Sequence, residues 1–140
     1  MSAEIHDILY ATDFNHPSNE AITLAISLAR EFHARLGLLH VIDDHGDHMN
    51  KNPDPTDLAL RKLQELIPKD TGPQHDPEVL AQFGVPADSM LQTAAEREID
   101  LIVLGARPAS SHMKAATHLG TGVLHRIIVG ASCPVLTVRP

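Results

Sequence analysis

An α/β fold on an open five-stranded parallel sheet, with helices on both faces, is what this sequence predicts. Three observations predict it. Short apolar runs alternate with amphipathic helical stretches along the chain. Most of those runs are apolar at consecutive positions, as strands buried on both faces are. Several end in polar residues or glycine, at Thr12-Asp13, Gly84 and Gly105, which punctuate strand ends.

The elements follow in order. Ile5 to Thr12 carries Ile8-Leu9-Tyr10-Ala11 and reads as a first strand ending in polar residues. Asn15, Pro17 and Ser18 are helix-start residues. Ala21, Leu24, Ala25, Leu28 and Phe32 then recur every three to four positions and predict an apolar helix face. Leu36 to Ile42 is the second strand. Residues 43–57 are polar, contain Gly46, Pro53 and Pro55, and predict a long loop. Leu58, Leu60, Leu63, Leu66 and Ile67 predict a short helix stopped by Pro68. Val79 to Phe83 is the third strand, ended by Gly84. Pro86 and Asp88 open a helix whose apolar face is Met90, Leu91, Ala94 and Ala95. Leu101-Ile102-Val103-Leu104 is the clearest buried strand, terminated by Gly105. After a loop, Gly120-Thr121-Gly122 precedes a helix with Val123, Ile127, Ile128 and Ala131 on one side, and Pro134 to Val138 is the last strand. Crossovers in such a sheet are right-handed.

Composition narrows the function. The 140 residues suit one domain, expected over 1–140, and 43% hydrophobic content suffices for a core. Eleven basic against eighteen acidic residues give a net charge of −7, which argues against nucleic acid as a partner. A small anion remains possible, because backbone amides hold one without net positive charge. The single cysteine, Cys133, permits no internal disulfide and reads as a small packing residue. No signal peptide and no membrane-spanning run is evident, so no membrane association and a cytoplasmic location are expected.

In open parallel sheets ligands bind outside the carboxyl ends of the strands, where strand order reverses. Three segments converge on that edge. Ala11-Thr12-Asp13 ends the first strand. Its carboxylate either accepts hydrogen bonds from a ribose or base, or caps the following helix. Gly105 leaves room for a ligand against the backbone. Gly120-Thr121-Gly122 either cradles a phosphate at a helix start or simply caps that helix. The intervening loop favours a ligand, because long loops at this edge often close over one.

Together these residues resemble the universal stress protein family. The match includes LYATDF, LLHVID, LIVLGAR and the tail LGTGVLHRIIVGASCPVLTVRP. The tail is the most specific part. Leu119-Gly120-Thr121 and Cys133 to Arg139 match the family's last helix start and last strand. The resemblance implies a Rossmann-like sheet of strand order 3-2-1-4-5 and a homodimer paired through the C-terminal strands, an exposed edge being available for that. It also implies ATP, an adenine nucleotide, on the family's Gly-x2-Gly-x9-Gly-Ser/Thr motif. Here the first glycine is Gly105 and the final pair Gly120-Thr121, with Gly122 beside it. Asp13 would hold the ribose or adenine side, and Val41 would offer backbone groups to the base. One departure matters. Pro108 replaces the second glycine, and eleven residues rather than nine separate it from Gly120. Proline removes an amide donor and excludes positive φ, so the phosphate loop is rebuilt. Arg107 and Lys114 offer compensating charge, and Ser110 and Ser111 hydroxyls; all four are also ordinary surface residues.

Other clusters are weaker. Asp43, Asp44, His45, Asp47 and His48 lie together, but their spacing fits no closed metal site, and a solvated acidic loop is the simpler reading. The ten histidines are scattered and read mostly as surface residues; His112, His118 and His125 flank the proposed ligand loop, and His118 is the one that could approach a phosphate. Neither a GxSxG elbow nor a Walker pattern occurs. A phosphoacceptor domain would need an Asp where Phe83-Gly84 ends the third strand and a Lys before Pro134; neither is present. The expectation is a dimeric stress-response protein binding ATP or a related adenine nucleotide with little or no turnover. The alternative is a dimeric stress or signalling protein of the same fold without a nucleotide.

Overall fold

The computed structural model describes residues 4–14, 19–43, 54–69, 77–105 and 121–139. Strands β1 (Asp7–Ala11), β2 (Arg35–Ile42), β3 (Glu78–Phe83), β4 (Leu101–Gly105) and β5 (Val135–Val138) alternate with helices α1 (Asn19–Phe32), α2 (Pro55–Leu66), α3 (Pro86–Glu96) and α4 (Thr121–Gly130). The sheet order is β3-β2-β1-β4-β5 and every pairing is parallel, as expected.

Alternation along each strand splits the core in two. Ile8, Tyr10, Leu36, Leu38, Leu101 and Val103 face α1 and Leu63 of α2. Leu9, Ala11, Leu39, Val41, Ile102 and Leu104 face α3 and α4. The central strands β1 and β4 are therefore apolar at consecutive positions, and Ile8, Leu9, Ile102, Val103 and Leu104 are fully buried. The outer strands β3 and β5 are only half-covered, because each has one strand neighbour and sits at the rim.

Several helix faces differ from expectation. In α1 the buried residues are Ala21, Ile22, Ala25, Ile26 and Ala29, whereas Phe32 is 44% exposed. The face that meets the sheet is centred on the small alanines, so the helix seats closely and its last turn swings Phe32 outward. In α3, Met90 and Ala94 are buried as expected, but Ala95 is exposed and Thr93 takes the buried place. Thr93 is tolerated there because its hydroxyl donates to Gln82 Oε1 at 2.8 Å. In α4, Ile127 is buried while Ile128 is half-exposed. The loop expected over 43–57 ends earlier, since α2 starts at Pro55. Asp54 is its N-cap, accepting the Thr56 amide at 2.9 Å, and proline at the first helical position loses no needed donor. Gly105 is the last residue of β4 rather than its stop.

Gly84 turns the chain from β3 into α3 at φ 149°, where a Cβ would lie 2.4 Å from Ser89 Oγ. Only glycine fits that turn without a shift.

At the amino edge, Asp100 fastens β1 to β4. Its Oδ2 accepts the amides of His6 and Asp7 at 2.9 and 3.0 Å, and its own amide donates to the Asp7 carbonyl at 2.8 Å. Asp100→Ala leaves two amides without that acceptor and is expected to cost about 1–3 kcal/mol of stability. Guanidinium denaturation measures it; a loss below about 0.5 kcal/mol would show that water replaces the carboxylate fully.

Candidate functional site

Strand order reverses between β1 and β4, and the crevice beside the carboxyl ends at such a reversal is where open parallel sheets bind ligands. Ala11 is level with Leu104, which sets Thr12 beside Gly105 one step further along. Of the expected site residues, Ala11, Thr12, Asp13, Val41, Gly105 and Gly122 lie among the described residues. Thr121 is described as the first residue of α4. Arg107 and Gly120 lie outside the described residues, as do Pro108, Ser110, Ser111, Lys114, His112 and His118.

The residues after β1 form a tight turn. Thr12 is buried, and its amide donates to the Leu39 carbonyl at 3.0 Å, extending the ladder one step past the strand. Its Oγ1 accepts the Phe14 amide at 3.1 Å, a local bond of the kind that threonine makes in turns. Phe14 consequently sits at φ 66°, an unusual region for a bulky side chain. Asp13 lies at the turn's apex, half-buried.

Three side chains that the sequence reading did not single out support this turn. His40, on β2, bonds the Thr12 carbonyl through Nδ1 at 2.8 Å. A carbonyl only accepts, so Nδ1 carries the proton and donates. The Phe14 ring lies 4.3 Å from the His40 ring, centroid to centroid, and Lys62 Nζ of α2 sits 5.5 Å from the Phe14 centroid. Burial pushes the His40 imidazole below its ordinary value; the Thr12 carbonyl and Asp13 oppose that shift, and Lys62 reinforces it. Tyr10, also on β1, has its phenol raised by burial, against a hydrogen bond to Thr12. The available signal for His40 was a titratable residue inside the otherwise apolar run Leu38 to Ile42.

Val41 has a buried side chain, so only its backbone can meet a ligand. It shares the backbone phase of Leu39, whose carbonyl points at Thr12, and its peptide groups therefore face the β1 side, level with the turn. Gly105 is half-buried, and a Cβ there would touch Ala21 Cβ at 3.6 Å, an ordinary contact. Its missing side chain thus faces the start of α1. Gly122, expected just before α4, is inside its first turn, exposed, with open space where a Cβ would be. A helix beginning at Thr121 directs the amides of its first turn, which have no acceptor within the helix, towards this edge.

The other expected features divide similarly. Asp43 is exposed, while Asp44, His45, Asp47 and His48 lie outside the described residues; among the described residues no His, Cys, Asp and Glu group could hold a metal ion. Cys133 is a free, half-buried thiol packed on the α3–α4 side of the core. A cleft of about 370 Å³ opens at the opposite, amino edge over Leu9, Gly37 and Leu80. Its rim cations are already paired, Arg35 with Asp7 at 2.9 Å and Arg97 with Glu78 at 2.7 Å. No described helix is long and apolar enough to cross a membrane.

Comparison with known proteins agrees with this fold. Residues 4–139 match the model of the universal stress protein family. A universal stress protein of Methanocaldococcus jannaschii is 29% identical over 145 residues, covering 94% of this chain and 81% of its own. A universal stress protein solved in complex with cAMP superposes with a TM-score of 0.70 at 19% identity, over 96% of this chain and 97% of its own. One from Archaeoglobus fulgidus in complex with dAMP gives a TM-score of 0.60 at 18% identity, over 96% and 98%. At those identities the two structures establish likeness of fold.

Proposed function

Because the chain belongs to the universal stress protein family, we propose that it is a stress-response protein binding an adenine nucleotide at the carboxyl edge of its sheet. The observation that carries this is the Thr12–Phe14 turn, in which Asp13 follows directly on the end of β1, where β4 is the neighbouring strand. A carboxylate there accepts hydrogen bonds from the two ribose hydroxyls or from an adenine amine. The Val41 peptide groups lie on the same side and suit the base edge. The start of α4 at Thr121, with open space where a Gly122 Cβ would be and Gly120 just before it in the sequence, suits phosphate by the amides of its first turn, which have no acceptor within the helix. The cAMP and dAMP complexes of the structural relatives add that this fold accommodates adenine nucleotides carrying one phosphate.

ATP is the ligand of the full reading, with Arg107 near its phosphates. Pro108 and the eleven-residue spacing to Gly120 bear on the phosphates rather than on the base. We take the domain to be single over 1–140, the assembly to be a homodimer through β5, and the location to be cytoplasmic, without nucleic acid or membrane as partners. Little or no turnover is proposed, the site being built from binding groups.

Titration calorimetry of nucleotide-free protein with ATP and with AMP tests the reading. Saturable binding of either at micromolar to low millimolar concentration supports it. No heat from either at millimolar ligand overturns it. The second reading, a dimer of the same fold without nucleotide, rests on Pro108. It predicts that no adenine nucleotide is released from freshly purified, denatured protein, as mass spectrometry would read.

A further inference from the structure

We propose that His40 is a positioning residue of this site: with Phe14 and Lys62 it holds the turn that presents Asp13 to the ligand. The inference rests on the nucleotide reading above. Asp13 is carried by a three-residue turn outside the sheet ladder, so the direction in which it leaves the strand follows from the bonds that fix the turn's backbone. Two bonds fix it at its base, Thr12 N–H to the Leu39 carbonyl and Phe14 N–H to Thr12 Oγ1. His40 adds a third from a different strand, donating Nδ1–H to the Thr12 carbonyl at 2.8 Å. That carbonyl belongs to the peptide that leads into Asp13, so its orientation sets the direction in which Asp13 leaves the strand. The Phe14 ring against the His40 ring closes the far side of the turn, and Lys62 reaches it from α2. The residues on either side of Asp13 are thus held from β2 and α2, elements that contribute no other residue but Val41 to the proposed site.

A consequence follows for proton binding. The charged groups acting on His40 are Asp13 on the turn and Lys62 on α2. A neutral His40 makes the Nδ1–H bond and adds no charge that acts on Asp13. A protonated His40 keeps the bond but adds a cation that draws Asp13 towards itself, in competition with the ligand. Its folded value is lowered below the ordinary 6.5 by burial, so the neutral form stands at neutral pH. The native state binds that proton less readily than the unfolded chain. Stability from this group is therefore complete above pH 6.5 and is lost as pH falls through the folded value.

Two variants test the role, with ATP and AMP as probes well below the melting temperature. His40→Leu removes the donor and is expected to weaken the tighter of the two ligands by about tenfold. His40→Asn places an amide N–H near the Nδ1 position and is expected to stay within about threefold of the unchanged protein. As pH falls through the folded value of His40, the unchanged protein loses affinity that His40→Asn keeps, since only the former gains a charge on the side chain that bonds the Thr12 carbonyl. If the unchanged protein and His40→Leu bind equally well, with parallel pH profiles, the positioning role is overturned while nucleotide binding stands. If the unchanged protein binds neither probe, the nucleotide reading falls and the positioning role with it. Where His40→Leu does not fold, His40→Gln, whose amide reaches one bond beyond the Nδ1 position, is the comparison: affinity equal to that of His40→Asn overturns the role.

Discussion

Leu39→Ala is expected to lower the unfolding free energy by about 2–5 kcal/mol, the range for removing a buried leucine side chain. Leu39 is wholly buried, level with Ala11 on β1 and Leu80 on β3, and it faces α3 and α4. The cavity cannot be closed by one neighbour moving, because strands on both sides hold the backbone in register. Against a total of about 5–15 kcal/mol for a domain of this kind, that loss is a large share. Phe32→Ala is the informative contrast. Phe32 is the larger side chain and lies on the apolar repeat that the sequence shows, yet it is 44% exposed. Its replacement is expected to cost about 1 kcal/mol or less. Guanidinium titrations of both variants give the comparison, and equal losses would mean that the α1 face is set as the repeat suggests.

The second large effect is on the ligand. Asp13→Asn keeps the shape of the side chain and removes its charge. A hydrogen bond to an ionised group is worth about 1.5–3 kcal/mol, so the loss of adenine nucleotide affinity is expected at about 10–100-fold. Stability is expected to change by less than about 1 kcal/mol, since asparagine keeps the shape of the side chain and an acceptor oxygen at this half-buried position. Calorimetry with ATP and AMP reads the first quantity and thermal unfolding the second. Unchanged affinity in Asp13→Asn would remove the carboxylate from the site and leave the backbone groups of Val41 and the start of α4 as the ligand's partners.

Much of the architecture was legible before any coordinate. The consecutive apolar positions of Ile8 to Ala11 and of Leu101 to Leu104 announce strands covered on both sides, and the structure buries both. What periodicity missed was local. Helix α2 begins at Pro55 because Asp54 caps it, a signal carried by one side chain and not by the apolar repeat. Thr93 is buried because Gln82, eleven residues earlier, supplies an acceptor, and no window along the chain links the two.

The site divides along the same line. The sequence by itself determined that Asp13 and Gly105 end buried strands, because runs of apolar residues and their polar or glycine terminators are local properties of the chain. It also determined the family, through motifs spread from Tyr10 to Arg139. Only the tertiary structure decided that Thr12 stands level with Gly105, that the Val41 peptide groups face the turn, and that His40 and Lys62 support it. Those relations join residues up to 93 positions apart, through strand order and register. Register is a property of the assembled sheet, fixed when both faces of β1 are buried at once, and one residue's slip would turn every side chain to the other face.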